Sequence, residues 1–288
     1  MDKFFDVIKA IIYGIVEGVT EWLPVSSTGH LILVEEFLPF NNVSEGFFDM
    51  FDVVIQLGAI LAIVILFWNK IWPFQLPQNQ EDPAPGIMGF VKMDKIILWI
   101  KIAVACVPAA VIGVLFDDWF DKWFYNPVCV SIALIVFGIA FIVVENWNKS
   151  RRPAIRRLDD ITFKTALLIG IFQLIAAIFP GTSRSGATIV GALLIGVSRT
   201  IAAEFTFFLA IPVMFGASLL KILKFGFHFT ALEFALLMIG TLVAFFVSLF
   251  IVRFLMAFIK KHNFKIFGWY RIVLGVIVLL YFGLAKGN

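Results

Sequence analysis

The sequence has few charged side chains for its length. Asp, Glu, Lys and Arg make up 15% of its 288 residues, whereas 61% are hydrophobic. A soluble globular chain carries roughly 25% charged and about 45–50% apolar residues. The composition therefore excludes a water-soluble domain and predicts a protein for which lipid is much of the solvent. The net charge of +3 gives no reason to expect a nucleic acid partner.

Cysteine is almost absent, and so are the features of a cleavable signal peptide. Cys106 and Cys129 lie in apolar runs. Two cysteines make neither a disulfide framework nor a metal cluster, so we expect buried structural thiols. Asp2 and Asp6 interrupt what would be a basic start. We therefore expect the first helix to remain in the mature protein.

Long apolar runs are what the sequence has instead. A window of about 20 residues predicts six transmembrane helices, at approximately 48–68, 96–116, 128–146, 202–223, 232–253 and 267–285. Two further regions, roughly 4–34 and 163–198, each hold two short apolar stretches split by a Pro-Ser/Thr-Gly cluster. Irregular backbone at membrane depth is tolerated only when it is buried in protein or lines a cavity. The pattern predicts an all-α polytopic membrane protein with two re-entrant helical hairpins.

The two broken regions match each other. At an offset of 156, Gly170 falls on Gly14, and the pairing continues through the breaks: Glu17 with Gln173, Pro24 with Pro180, Ser26 with Thr182, Ser27 with Ser183. Each hairpin precedes three spans, so the second half must enter the membrane from the opposite side. We expect an inverted-topology repeat in a single membrane domain, 1–288. It divides into repeat 1 (about 1–146), a basic linker (about 147–162) and repeat 2 (about 163–288).

The distribution of basic residues predicts the orientation. Loops 69–95, 147–164 and 254–266 hold most of the lysine and arginine outside the spans, whereas acidic residues such as Glu35, Glu36 and Glu45 lie in the opposite loops. The positive-inside rule places the basic loops in the cytoplasm and both termini outside. The first hairpin then enters from the outer face, the second from the cytoplasm, and their tips meet near the midplane.

Charged side chains within apolar segments are functional candidates, since each costs at least ~2.5–3.5 kcal/mol at the centre of a membrane. Glu17, Glu21 and Arg184 lie too far from any span end to snorkel or cap. We interpret the others as structural: Lys101, Glu145, Arg253, Arg271, Glu204 and Asp52. Most tryptophans, Trp22 among them, are assigned to an interfacial belt, and His228 and His262 to solvated loops.

Glu17 and Glu21 are four residues apart, so a helix places them on one face. Two carboxylates so close repel each other unless a cation or a shared proton lies between them. A divalent ion such as Mg²⁺ or Ca²⁺ prefers oxygen ligands and would satisfy both. The alternatives are a proton-coupled pair in a transporter and a carboxylate paired with a basic residue.

The first break runs from Pro24 to His30. Proline ends the preceding helix, and Ser26 or Ser27 can cap the next one. A helix N-terminus offers free N–H groups to a phosphate. His30 follows Ser27 by three residues, which allows a serine nucleophile with a histidine base. A capping cluster with one buried neutral histidine is the alternative.

The second break adds a fixed cation. Thr182, Ser183, Arg184 and Ser185 again open a helix. The planar guanidinium of Arg184 suits bidentate contact with phosphate. A buried arginine needs an anionic partner, which Glu17, Glu21 or a substrate phosphate would supply.

These residues resemble the undecaprenyl-diphosphate phosphatases linked to bacitracin resistance. The family's Glu/Gln-x-x-x-Glu motif is present as Glu17 to Glu21, and it runs on through Pro24-Val25-Ser26-Ser27-Thr28-Gly29-His30. Its Pro-Gly-x-Ser-Arg-Ser-x-x-Thr motif is present as Pro180 to Thr188. The resemblance covers the whole chain, including its length and the order of its segments.

The resemblance implies a metal-dependent hydrolase of the bacterial inner membrane that recycles the lipid carrier of cell-wall synthesis. Its implied partners are a polyprenyl diphosphate lipid and the membrane, and a homodimer is left open. The cofactor would be Mg²⁺ or Ca²⁺ on Glu17 and Glu21. The catalytic residues would be Glu17, Glu21, Ser27, His30 and Arg184. From their places in the two breaks we also expect the following residues to bind substrate: Ser26, Thr28, Thr182, Ser183, Ser185 and Thr188.

Two questions stay open at the level of sequence. Ser27 deprotonated by His30 is the preferred nucleophile, with His30 itself or a water activated by His30 as alternatives. The rival function is a secondary transporter or lipid flippase, because inverted repeats with broken helices at the midplane are typical of transporters.

Overall fold

Most of the described part of the protein is helical, as its apolar runs predict. The computed structural model describes residues 2–75, 89–124 and 126–285. This part of the chain has no β-strand, only two isolated bridges. It contains twelve α-helices: α1 Asp2–Thr20, α2 Ser27–Phe37, α3 Phe47–Val54, α4 Gln56–Leu66, α5 Trp68–Ile71, α6 Met93–Phe124, α7 Pro127–Trp147, α8 Phe163–Ile178, α9 Arg184–Leu194, α10 Arg199–Phe225, α11 Ala231–Ile259 and α12 Lys265–Ala285.

Six segments are long and apolar enough to cross a membrane, so the predicted all-α polytopic fold is confirmed. They are Phe47–Leu66, Met93–Gly113, Pro127–Ser150, Arg199–Phe225, Ala231–Ile259 and Lys265–Gly283. The first combines α3 and α4, which are separated only at Ile55. Residues 76–88 of the predicted loop 69–95 lie outside the described residues.

Two helix pairs are interrupted where the sequence places its breaks. α1 ends at Thr20 and α2 begins at Ser27, while α8 ends at Ile178 and α9 begins at Arg184. α2 and α9 have 11 residues each. At 1.5 Å per residue each is about 16 Å long, roughly half of a 30 Å hydrocarbon core. That each pair re-enters the membrane stays a prediction.

The interrupted helix of each half packs against a long helix of the other half. α1 lies along α11, and α8 lies along α6. Glycines allow the backbones to approach closely, as is common between membrane helices. A Cβ on Gly14 of α1 would be 2.6 Å from the Gly240 oxygen, and one on Gly170 of α8 would be 2.2 Å from the Ala105 oxygen. This exchange of partners supports the predicted repeat, whose inverted orientation stays a prediction.

The two breaks adopt the same cap, but in a register that differs from the predicted one. Ser26 and Ser183 are the only non-glycine residues with positive φ in the described part of the chain, at 75° and 67°. Each is an N-cap whose hydroxyl accepts from a glycine N–H three residues later, Gly29 or Gly186. The expected pairing of Ser26 with Thr182 is therefore wrong. With the caps aligned, the second half has one more residue between Gln173 and Ser183 than the first half has between Glu17 and Ser26.

Glu145 and Lys101 make structural contacts, as expected. Glu145 is buried, forms an ion pair with Arg199, and accepts from the Phe264 N–H at 2.9 Å just before α12. The Lys101 ammonium donates to the Asp159 carbonyl at 3.3 Å, which attaches the linker to α6.

Two expectations about burial are wrong. Trp22 is fully buried against Phe207, with ring centroids 5.2 Å apart, so it is not part of an interfacial belt. It lies in the break after α1 and points into the core. Cys106 and Cys129 are free thiols but are half-buried. His228 and His262 are exposed, as predicted.

Candidate functional site

Glu21 joins the two breaks. Its Oε1 accepts from Arg184 Nη2 at 2.8 Å, and its Oε2 accepts from Ser27 Oγ at 2.8 Å. Its backbone carbonyl accepts from Ser185 Oγ at 3.1 Å. The carboxylate is buried and the Arg184 side chain is 14% exposed. Side chains that are 163 residues apart in sequence therefore meet in one polar cluster, and Arg184 has the predicted glutamate partner.

Glu17 lies one turn before Glu21 on α1 and is fully buried. Neither of its carboxylate oxygens has a hydrogen-bond partner in the described part of the chain. Such orphaned oxygens are rare and call for an ion, a water or a proton. The described residues contain no group of three His, Cys, Asp or Glu side chains that could hold a metal. Glu17 and Glu21 fit a divalent cation only if substrate oxygens and water complete its shell.

The polar residues of the second break form a network at the start of α9. Ser183 Oγ lies 3.1 Å from Ser185 Oγ and caps the Gly186 N–H. Thr188 Oγ1 donates to the Arg184 carbonyl at 2.9 Å and accepts from Thr206 Oγ1 at 2.9 Å. The Thr182 hydroxyl is fully buried without a partner among the described residues. This end of α9 presents backbone N–H groups and hydroxyls around Arg184.

The structure does not pair His30 with Ser27. His30 Nδ1 lies 2.7 Å from the Ser26 carbonyl, and Nε2 lies 2.7 Å from the Tyr270 hydroxyl. Ser27 instead donates to Glu21. The spacing of three residues allows His30 to contact Ser27, but His30 Nδ1 instead hydrogen-bonds to the carbonyl of Ser26, the N-cap residue one position earlier. Thr28 is half-buried in the first turn of α2.

Arg271 is the clearest residue that sequence reasoning misses. It was expected to snorkel or cap at a span end, yet it is fully buried, and its guanidinium donates to carbonyls of both breaks. The prediction failed because the packing of α12 directs Arg271 towards the breaks, which hydropathy cannot show. Thr206 was missed too, since one polar side chain in the apolar run of α10 gave little signal.

Together the fold and the site define a polytopic α-helical membrane protein with a buried polar cluster between two interrupted helix pairs. Residues 10–277 match the family described as bacitracin resistance protein BacA, so the chain belongs to that family.

Curated relatives match along almost the whole chain. This chain is 62% identical over 277 residues to an undecaprenyl-diphosphatase of Desulfitobacterium hafniense, and the match covers 96% of each protein. It is 60% identical to undecaprenyl-diphosphatase 1 of Clostridium acetobutylicum, covering 97% of this chain and 98% of that protein. An undecaprenyl-diphosphatase of Enterococcus faecalis is 58% identical, covering 96% of this chain and 97% of the relative.

Proposed function

We propose that this protein hydrolyses undecaprenyl diphosphate to undecaprenyl phosphate and inorganic phosphate, and so recycles the lipid carrier of cell-wall synthesis. The observation that carries the proposal is the cluster in which Glu21 contacts both Ser27 and Arg184 between two capped helix N-termini. The names of the relatives supply the substrate.

The start of α9 would hold the terminal phosphoryl group. Phosphoryl transfer depends mainly on positioning and on stabilising charge at the equatorial oxygens. Arg184 supplies a planar pair of donors, and the first turn of α9 supplies N–H groups at the positive end of its dipole. Ser183 caps α9, and Ser185 and Thr188 lie in its first two turns, so their hydroxyls would be further donors once they turn towards the phosphate.

Ser27 is the nucleophile that this arrangement favours. Its hydroxyl already donates to Glu21 Oε2, so the proton can move to that carboxylate as Ser27 Oγ bonds to the terminal phosphorus. The anhydride P–O bond breaks and undecaprenyl phosphate leaves. Water then hydrolyses the phosphoserine and releases inorganic phosphate. Glu21 replaces His30 as the proposed proton acceptor.

Glu17 and Glu21 are the residues that would hold Mg²⁺ or Ca²⁺. A divalent cation at that position would neutralise charge on the diphosphate oxygens and polarise the phosphorus. The unpartnered oxygens of Glu17 support this assignment. Arg184 donates to Glu21 Oε1, so a cation bound at that oxygen would require the guanidinium to shift towards the phosphate.

We place the protein in the bacterial inner membrane with its site open to the outer face. The basic linker supports this orientation, because Arg151, Arg152, Arg156 and Arg157 cluster on one side and are exposed. A homodimer stays a prediction.

The test is release of inorganic phosphate by the purified protein from undecaprenyl diphosphate, with and without EDTA. We expect release that EDTA abolishes and that Mg²⁺ or Ca²⁺ restores. Absence of phosphate release, together with movement of intact lipid across proteoliposomes, would favour the transporter or flippase instead.

A further inference from the structure

Helix α12 inserts a single guanidinium between the two breaks. Arg271 is fully buried six residues after the start of α12 at Lys265. Its Nη1 donates to the Pro24 carbonyl at 3.3 Å in the first break. Its Nη2 donates to the Gly181 and Thr182 carbonyls of the second break at 2.9 and 2.7 Å. One side chain from a third element therefore bridges the two loops that carry the candidate site.

The partners of Arg271 are unusual for a buried cation. None of the ion pairs in the described part of the chain involves it. Burying a charge without an opposite charge is unfavourable. The three carbonyls that accept from Arg271 must therefore supply its stabilisation. The three carbonyls lie in non-helical backbone, where no helical hydrogen bond satisfies them. A Cβ on Gly186 would be 2.8 Å from Nη1, so the glycine at the start of α9 makes room for the guanidinium.

The neighbouring residue of α12 fixes the histidine. Tyr270 OH lies 2.7 Å from His30 Nε2, and the two rings are nearly parallel, at 4° and 5.6 Å between centroids. The Ser26 carbonyl can only accept, so His30 Nδ1 carries a proton and donates to it at 2.7 Å. In the neutral ring Nε2 therefore accepts from the tyrosine hydroxyl. Tyr270 and the cap carbonyl together select one tautomer and one ring orientation.

We propose that Tyr270 and Arg271 form a positioning unit for the phosphatase site. Arg271 sets the separation of the two breaks, so that Ser27 and Glu21 of the first half face Arg184 of the second half. Tyr270 fixes the His30 ring, which donates to the Ser26 carbonyl next to Ser27. The inference rests on the proposed function, and it assigns neither residue a contact with the reacting atoms.

The test compares four variants of the full-length protein in nanodiscs, with undecaprenyl diphosphate as substrate. Arg271→Met and Arg271→Lys probe the bridge, and Tyr270→Phe removes only the hydroxyl that contacts His30. Arg253→Met on α11 is the control for the arginine changes, because Arg253 is exposed. We measure kcat, KM and the thermal unfolding midpoint of each protein.

The expected result is a loss of kcat with little change in KM. Arg271→Met should lose about 10²-fold in kcat, the scale expected when reacting groups shift by about 1 Å. Arg271→Lys should recover part of that loss, because one ammonium cannot reach all three carbonyls. Tyr270→Phe should lose about tenfold in kcat, because a His30 ring released by Tyr270 no longer holds the Ser26 carbonyl next to Ser27. The unfolding midpoint should not change, because the tyrosine is 47% exposed and the change removes one hydroxyl.

Three results would overturn the inference. If KM rises while kcat is kept, Arg271 binds substrate directly. If Arg271→Met does not fold, normal kcat in both Arg271→Lys and Tyr270→Phe shows that the unit is only structural. If the wild-type protein is active and all four variants have its kcat, only the positioning role is wrong. If the wild-type protein itself releases no phosphate, the proposed function is wrong, and the positioning role is wrong with it.

Discussion

Glu17 and Glu21 lie one turn apart on the same helix, but their surroundings differ. Glu21 accepts two side-chain hydrogen bonds, one of them from a cation, whereas Glu17 has no partner among the described residues. Burying a carboxylate that has no hydrogen bond and no counter-ion is unfavourable in free energy. Such groups are found more often at functional sites than elsewhere. Substitution at the two positions should therefore affect stability and activity differently.

We predict that Glu17→Gln removes most of the phosphatase activity without lowering the thermal unfolding midpoint, since it removes an uncompensated buried charge. Glu21→Gln should also be inactive, and it should lose up to about 3 kcal/mol of stability because Arg184 is left buried without its partner. Phosphate release and thermal unfolding measure both effects, with exposed Glu45→Gln as the control. Full activity of Glu17→Gln would remove that residue from the proposed metal site.

Arg184 can be tested for geometry and charge separately. Lysine keeps the charge but lacks the planar pair of donors. We expect Arg184→Lys to lose about 10²-fold or more in kcat, similar to the loss of one preorganised donor to a developing anion. Arg184→Ala should be at least as inactive, and calorimetry should show tighter Mg²⁺ binding because Glu21 is freed. Near-normal kcat in Arg184→Lys would show that Arg184 is only a counter-ion.

The sequence was most informative about residues that membrane burial makes costly. Glu17, Glu21 and Arg184 could be selected because charge within an apolar segment needs a partner. Ser27 could be selected from its position at the first break, but its hydrogen-bond partner was predicted to be His30 and is Glu21. Tyr270 and Arg271 could not be selected, because their contacts depend on how α12 packs, 240 or more residues from the first break and 89 or more from the second.

At the scale of the helices, hydropathy and helix breakers located the six spans and both interruptions. They could not set the register of the repeat, since the extra residue between Gln173 and the cap Ser183 shows only in the backbone conformation of Ser26 and Ser183. These two residues occupy a region of φ that is unfavourable for side chains, at a cost of order 1–3 kcal/mol each. Such strain next to Glu21 and Arg184 is consistent with a functional site.

The packing of α8 on α6 gives a prediction at the same scale. A methyl group on Gly170 would lie 2.2 Å from the Ala105 carbonyl oxygen. That oxygen is backbone, so the clash can be relieved only if α6 and α8 move apart. We expect Gly170→Ala to cost about 1–3 kcal/mol of stability. Gly216→Ala on α10 is the matched control, because a Cβ there has no atom within 4 Å. Equal unfolding midpoints for the two variants, measured in the same detergent, would contradict this close packing.

At the scale of the whole molecule, both halves are needed for one site. The first half supplies Glu17, Glu21, Ser27 and His30, and the second supplies Arg184 and the start of α9. The linker 147–162 connects them and is attached through its Ala154 and Ile155 N–H groups, which donate to the Gly196 carbonyl at the end of α9. Neither half contains the cluster alone, so the site depends on how the two halves pack against each other.

The orientation of the chain can be measured with two cysteines. In a Cys106→Ser, Cys129→Ser background, Glu45→Cys should react with a membrane-impermeant maleimide in intact cells. Arg156→Cys should react only after permeabilisation. Both native residues are exposed, so a difference in labelling reports sidedness and not burial. The physical reason is that loops rich in lysine and arginine stay in the cytoplasm.

Both variants must retain phosphate release, which shows that each is folded in its normal orientation. Labelling of both in intact cells would contradict the six-span topology, because it would put the linker and the loop before α3 on one face. The reverse pattern would keep the fold but invert it. The first break would then enter from the cytoplasm, and the site would act on diphosphate lipid at the inner leaflet.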